Sequence, residues 1–134
     1  MKLSTVMELA EQIRATQAEL EELKARAESA TTSRLDGLPR AKSYSSRIES
    51  LIVKISDRER RLANLVEESA CAQIDLTLEI LDRVTGKAGE VIYQRYILCR
   101  PFAEIAAAMH YSESQIRRLH SNGRRAFESK INLT

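Results

Sequence analysis

Apolar residues in the N-terminal segment recur at alternating spacings of three and four. The positions that follow this rhythm are Val6, Leu9, Ile13, Thr16, Leu20, Leu23, Ala27 and Ala30. Such an a/d pattern predicts a long helix with a narrow apolar stripe that packs against one partner helix. Thr5 and Glu8 stand at the spacing of a capping box, so we expect this helix to begin at Thr5 and to end near Ala30.

A stretch between Thr31 and Tyr44 interrupts the pattern, and Gly37-Leu38-Pro39 within it is a turn sequence. The rhythm then resumes in a second long helix at Ile48, Leu51, Ile55, Leu62 and Leu65, with Ile52 and Val66 widening the stripe. Ser46 and Glu49 predict the start of this helix through a second capping box. Two stripes joined by a turn predict an antiparallel, coiled-coil-like helical hairpin.

The apolar line of the second helix shifts beyond Ser69 to Ile74, Leu78 and Leu81. This shift predicts a bend near Ala70. Gly86 is the expected C-terminal stop of the helix. The sequence therefore divides into a hairpin over residues 1–70 and a second domain over residues 71–134.

Three shorter helices are predicted in the second domain, and no segment alternates as a strand does. The first runs from Lys87 to Leu98, and the next runs from Pro101, at its first helical position, to Met109. A capping box of Ser112 and Gln115 starts the last helix, which extends to about Ile131. The expected fold class is all-α.

The stretch from Phe102 to His120 has the residue pattern of a helix-turn-helix unit. Its inward positions carry residues of the required character, namely Ile105, Ala106, Met109, Tyr111, Ile116 and Leu119. His110 stands where glycine is usual, at a turn position that favours positive φ, and histidine tolerates this better than a branched residue does. We therefore expect a long N-terminal antiparallel helical hairpin followed by a compact helix-turn-helix domain.

The outward side of the last helix carries the candidate DNA-binding residues. These are Ser112, Ser114, Gln115, Arg117, Arg118, Ser121, Asn122, Arg124 and Arg125. Three of them, Gln115, Arg118 and Asn122, share one stripe and can pair with base edges in a major groove. The other arginines are better suited to phosphates, which fix position rather than sequence. Free backbone amides at the start of the helix are a further candidate for a phosphate.

The charge distribution agrees with this placement. The chain of 134 residues has a net charge of only +2. Residues 1–70 hold 12 basic and 12 acidic side chains, whereas from Ser112 onward five basic residues face two acidic ones. The positive excess therefore lies at the C-terminal end, where contact with phosphates is expected. A chain of this length suits either one domain or one small domain plus an extended element.

The remaining reactive residues form no recognisable site. Cys71 and Cys99 suit neither a disulfide framework nor a zinc site, and we expect reduced, buried thiols. His110 and His120 lack partners at ligand spacing, and residues 86–89 lack the ending of a phosphate loop. We expect no metal, no cofactor and no enzymatic activity. Since no apolar leader or spanning segment is present, we expect a cytoplasmic protein without a membrane partner.

Several segments together resemble region 4 of the sigma-70 family. They are Val91–Ile97, which contains the pair Arg95-Tyr96, Phe102–Ala106, Tyr111-Ser112 and Ile116–His120. In that family the unit binds a promoter element, so the resemblance implies promoter DNA and RNA polymerase as partners. The whole chain, including the Gly37-Leu38-Pro39 turn, also resembles small phage and prophage proteins, some of which are transcription regulators.

The leading hypothesis is a sequence-specific duplex DNA-binding protein, a transcriptional regulator of the phage or prophage type. We expect a homo-oligomer formed through the hairpin, because a two-helix hairpin leaves apolar edges open and a dimer presents two recognition helices. Two alternatives stay open. One is a DNA-packaging component similar to a small terminase subunit, in which the hairpin builds a ring. The other is a coiled-coil assembly adaptor whose helix-turn-helix binds protein.

Overall fold

The computed structural model describes residues 1–33 and 41–131, and within those ranges the chain is helical without a strand. Its helices are α1 (Thr5–Ser33), α2 (Ala41–Arg83), α3 (Gly86–Tyr96), α4 (Phe102–Met109) and α5 (Glu113–Ile131). The all-α fold class, with long N-terminal helices before shorter ones, is confirmed. The predicted turn at Gly37-Leu38-Pro39 lies outside the described residues.

One compact unit, Leu9–Glu68, contains most of α1 and the first part of α2, side by side. The stripe residues of α1 from Leu9 to Ala30 are buried or half-buried, as the heptad pattern predicts. Thr16 is the polar member of the stripe, and its buried hydroxyl donates to the carbonyl of Gln12 at 2.8 Å. Burial of the threonine therefore leaves its hydroxyl hydrogen-bonded, which avoids the cost of an unpaired polar group.

Ion pairs at the edge of this unit join the two helices. Arg58 Nε lies 2.6 Å from Glu19 Oε2, and Lys24 Nζ lies 3.8 Å from Glu59 Oε1. All four side chains are about half exposed, so each pair contributes at most about 1 kcal/mol to the free energy of unfolding. The apolar stripe, rather than these charges, stabilises the pairing of α1 with α2.

Helix α1 begins at Thr5 as predicted, but the residue that precedes it as a cap and the start of α2 differ from the prediction. Ser4 precedes α1, and its Oγ donates to Glu8 Oε1 at 3.2 Å, so Ser4 occupies the position expected of Thr5. Since α2 begins at Ala41, Ser46 and Glu49 lie inside the helix and do not cap it. Several serine or threonine residues near the start of a helix can each serve as its N-cap, and the sequence alone does not distinguish them. Tertiary packing decides which of them precedes the first turn.

The apolar side chains on α2 are divided differently from the prediction. Ile52 and Val66 are 57% and 51% exposed, so they do not widen the buried stripe. Beyond Ser69 the buried line consists of Ala72, Leu76, Ile80 and Val84. The predicted line of Ile74, Leu78 and Leu81 is instead exposed. This part of the helix is apolar on two sides, and the buried residues follow one another at steps of four rather than at the alternating three and four of a heptad.

The second compact unit combines Met1–Glu8 with the chain from Ser69 onward. By packing, this unit differs from the predicted domain at residues 71–134, because it includes the start of the chain. Leu3 and Val6 are only 8% and 1% exposed. These apolar side chains therefore belong to the core of the unit that contains α3, α4 and α5.

The connections between the short helices also differ from the prediction in detail. Helix α2 ends at Arg83, and Gly86, with a φ of 69°, begins α3 rather than ending α2. Helix α3 ends at Tyr96, two residues before the predicted end. Pro101 has extended backbone angles and is the N-cap of α4, not its first helical residue. Proline suits this position because it lacks the amide that a helix interior would need.

The core beneath α4 and α5 confirms the inward positions of the helix-turn-helix pattern. Val91, Ile105, Ala106 and Ile116 are buried together. Phe102, Met109, Tyr111 and Leu119 are half-buried and pack against them. Every inward residue predicted between Phe102 and His120 therefore lies in or against one apolar cluster.

In the described part of the chain, the helices that are long enough to span a membrane are too polar to do so.

Candidate nucleic-acid interface

The turn between α4 and α5 begins with a residue in the left-handed conformation. His110 has φ 60° and ψ 39°, and its backbone amide donates to the carbonyl of Ala106. The amide of Tyr111 donates to the same carbonyl at 3.0 Å. These bonds close the end of α4, as a left-handed cap does. The positive φ predicted for His110 is confirmed.

A complete capping box fixes the start of α5. The amide of Ser112 donates to Gln115 Oε1 at 3.0 Å, and the amide of Gln115 donates to Ser112 Oγ at 3.2 Å. This confirms the predicted cap and orients the first turn of the helix. It also engages the side-chain carbonyl of Gln115, which the sequence analysis assigns to a base edge. Only the side-chain NH₂ group of Gln115 remains for a base edge. Contact between Gln115 and a base stays a prediction.

Most of the candidate residues lie on the exposed side of α5. Ile116, Gly123 and Phe127 are buried on the opposite side and hold the helix against the unit. The helical period then places Ser114, Arg118, Ser121 and Arg125 at the centre of the outward side, where all four are exposed. Asn122 is also exposed, at the edge of this surface. A polar and basic helix side of this kind can enter a major groove.

Arg117 is held at the other edge of the outward side by an aromatic ring. Its Cζ atom lies 5.2 Å from the centroid of the Phe102 ring. The Cζ atom of Arg95, on α3, lies 4.7 Å from the same centroid. Arg95 Nη1 also donates to the carbonyl of Arg100 at 3.1 Å. Each guanidinium is within the distance of a cation–π interaction, so Phe102 positions two arginines from different helices.

Arg95 is a candidate that the sequence analysis did not assign to DNA. The pair Arg95-Tyr96 was part of the resemblance to sigma region 4, and that was the available signal. The contact itself depends on Phe102, which follows in another helix. A pattern along a single helix could not predict this arrangement.

Arg124 lies seven residues after Arg117 and therefore at the same edge of the outward side, away from Arg118 and Arg125 at its centre. Its Nη2 atom is 3.6 Å from Glu128 Oε1. Together with Lys2, Ser4 and Tyr96 it lines a cleft near the start of the chain. A phosphate contact by Arg124 stays a prediction, and it requires this side of the helix to face the DNA backbone.

Tyr96 and His120 form a polar contact beside Phe102. The Tyr96 hydroxyl and His120 Nε2 are 2.8 Å apart, and the His120 ring packs edge-on to Phe102 at 5.0 Å. Burial lowers the pKa of His120, and the positive charges of Arg124 and Arg95 lower it further. Burial also raises the pKa of Tyr96. The neutral ring is therefore favoured, and it can accept a hydrogen bond from the tyrosine hydroxyl.

This arrangement predicts that the unfolding free energy depends on pH through His120. As the pH falls below about 6.5, the unfolded chain binds a proton at this residue before the folded protein does. The stability contributed by the neutral ring is complete above that value and is lost as the pH falls through the lowered folded-state pKa. Urea unfolding measures the free energy of unfolding of wild type and of His120→Gln between about pH 7.5 and about pH 5. As the pH falls over this range, that free energy should fall more steeply for wild type than for the variant. Parallel curves would contradict the prediction.

The described residues contain no group of three or more His, Cys, Asp and Glu side chains that could hold a metal ion. Cys71 and Cys99 are free thiols, and both are exposed rather than buried as expected.

No family model, curated protein or solved structure matches this chain.

Proposed function

We propose that this chain binds specific duplex DNA by inserting the outward side of α5 into a major groove. The observation that supports this most directly is the division of α5 into two sides. Ile116, Gly123 and Phe127 attach it to the unit, and Arg118 and Arg125 project with small polar residues on the opposite side. In this proposal α5 is the recognition helix, and α4 crosses the DNA backbone.

Phosphate contacts at the edge of the groove belong to Arg117 and Arg95. Both guanidinium groups pack on Phe102, so their position is partly fixed before DNA binds. Fixing a side chain in advance lowers the conformational entropy lost on binding. Such contacts set the register of the helix on the duplex, while Arg118 and Asn122 contact base edges.

The biological activity we propose is regulation of transcription, of the phage or prophage type. The resemblance to sigma region 4 supports this proposal, and contact with RNA polymerase is part of it. Self-association through the hairpin is also part of it, because Ile52 and Val53 are exposed apolar residues on α2 within the unit Leu9–Glu68. The mass in solution tests that assembly: a dimer agrees with a regulator, whereas a large ring favours a packaging component.

Two arginine substitutions test DNA binding. Selection from random duplex DNA with the purified protein should first enrich a defined motif. On that motif, Arg118→Ala and Arg125→Ala should each lower the affinity about tenfold, since each removes a contact to a base or a phosphate. A substitution that removes a phosphate contact should also reduce the slope of log affinity against log salt by about 0.9.

Arg60→Ala is the matched control, because Arg60 is an exposed arginine on α2 in the unit Leu9–Glu68. It should leave both the affinity and the salt slope unchanged. If all three variants bind the selected DNA as wild type does, α5 is not the recognition helix. If wild type shows no salt-dependent binding to any duplex, the adaptor alternative is favoured instead.

A further inference from the structure

Helix α2 has two apolar sides in the unit that also contains α5. One side is buried and consists of Ala72, Leu76, Ile80 and Val84. The other, which we call the outer apolar face, consists of Ile74, Leu78 and Leu81, and these side chains are 64%, 61% and 69% exposed. A helix that is apolar on opposite sides is usually covered on both. Exposed patches of large aliphatic residues commonly mark interaction surfaces.

The spacing of the outer apolar face indicates the shape of its partner. From the exposed Cys71, the steps to Ile74, Leu78 and Leu81 are three, four and three residues. This is the a/d spacing with which one helix packs against another. The narrow stripe therefore suits a second helix that presents its own apolar stripe, rather than a broad or extended surface.

The charges around the outer apolar face indicate which helix fits. Between Glu67 and Arg83 the chain has five acidic residues and one basic residue. Arg83 packs on the ring of Phe127, and Glu79 pairs with the N-terminal amine at 3.4 Å, so the charge beside the outer apolar face is acidic. A second copy of the same face would place carboxylates against carboxylates, which is unfavourable. A partner with lysine or arginine beside its apolar stripe would meet opposite charges along the same length.

We propose that the outer apolar face of α2 binds a basic amphipathic helix of a partner protein. Ile74, Leu78 and Leu81 supply the apolar contact, and the surrounding carboxylates select the sign of the partner's charge. This proposal does not depend on DNA binding. The face and α5 belong to the same compact unit, so a protein bound here would be tethered to the unit that carries the DNA-binding candidates.

Designed peptides test the proposal on the full-length protein. The first probe is a fluorescently labelled peptide of about 18 residues, roughly five helical turns, with leucine on one stripe and lysine elsewhere. The second has the same composition in scrambled order, and the third has glutamate in place of lysine. We expect fluorescence anisotropy to show saturable binding of the first peptide only. Equal binding of the scrambled peptide would overturn the proposal, because charge alone would then explain the binding.

Paired substitutions locate the site. Leu78→Gln with Leu81→Gln should weaken binding of the amphipathic peptide about tenfold or more, because two central apolar contacts are removed without a change in charge. Ile52→Gln with Val53→Gln is the matched control, since those residues are 57% and 58% exposed on another part of α2. It should leave binding unchanged.

Thermal unfolding of both paired variants, and the DNA affinity of the Leu78 and Leu81 variant, should match wild type, so that loss of peptide binding is not loss of the fold. Equal weakening by both pairs would overturn the assignment of the site. A wild-type protein that self-associates, and becomes monomeric only with the Leu78 and Leu81 substitutions, would show that a second copy occupies the face. Either result is independent of whether the chain binds DNA.

Discussion

Replacing Ile116 with alanine is expected to lower the free energy of unfolding by about 2–5 kcal/mol. Ile116 is 0% exposed and packs in one cluster with Val91, Ile105 and Ala106. The substitution removes apolar contacts and leaves a cavity in the part of the core that attaches α5, so both terms act in the same direction. Urea unfolding followed by circular dichroism measures the change.

Ile74→Ala is the control for this prediction, because it makes the same chemical change at a residue that is 64% exposed. Its effect should lie within about 0.5 kcal/mol of wild type, as expected for a surface substitution. If the two variants lost similar stability, Ile116 would not be an anchor of α5. The outward placement of Arg118 and Arg125 would then lose its structural basis.

The helix-turn-helix could be predicted from the sequence because its determinants are local. Ala106, His110 and Ser112 each have a requirement set by the turn itself: a small residue, a left-handed backbone and an N-cap. The structure has His110 at φ 60° and a closed capping box at Ser112. Local geometry of this kind depends on few neighbours, so residue type and spacing are sufficient to predict it.

The buried side of α2 beyond Ser69 could not be predicted in the same way. Leu76 and Ile80 on one side, and Ile74 and Leu78 on the other, have nearly the same spacing and apolar character. Periodicity shows that a helix has an apolar stripe, but it does not choose between two stripes. That choice depends on packing between segments that are distant in sequence, since Leu3 and Val6 are buried in the same unit as this part of α2.

The candidate interface could likewise be predicted only in part from the pattern along a single helix. The exposed arginines of α5 follow from the position of Ile116, which the helix-turn-helix pattern predicts. The position of Arg95 follows from the ring of Phe102, and that contact joins α3 to the start of α4. Contacts between helices decide which basic residues are held rigidly, and a one-dimensional pattern does not contain them.

Gly123→Ala is the second substitution with a large expected effect, and its sign is informative. At an open helical position, replacing glycine with alanine stabilises a protein by about 0.8–1.0 kcal/mol. At Gly123 an added Cβ would lie 2.5 Å from Cγ1 and 3.0 Å from Cδ1 of Ile92, and 3.2 Å from the carbonyl oxygen of Ala88. Ile92 is 0% exposed, so its side chain has no free space to enter. We therefore expect a loss of about 1–3 kcal/mol from overpacking.

A double-mutant cycle with Ile92→Ala identifies the cause of that loss. Ile92→Ala alone should destabilise by about 2–5 kcal/mol, because it leaves a cavity between α3 and α5. In the double variant the new Cβ at residue 123 occupies part of that cavity, so the combined loss should be smaller than the sum of the single losses. Ser121→Ala on the exposed side of α5 is the control, and it should be neutral or slightly stabilising. Additive losses, or a gain from Gly123→Ala alone, would mean that α3 and α5 are not packed closely enough to require glycine. The orientation of α5 would then need a different anchor.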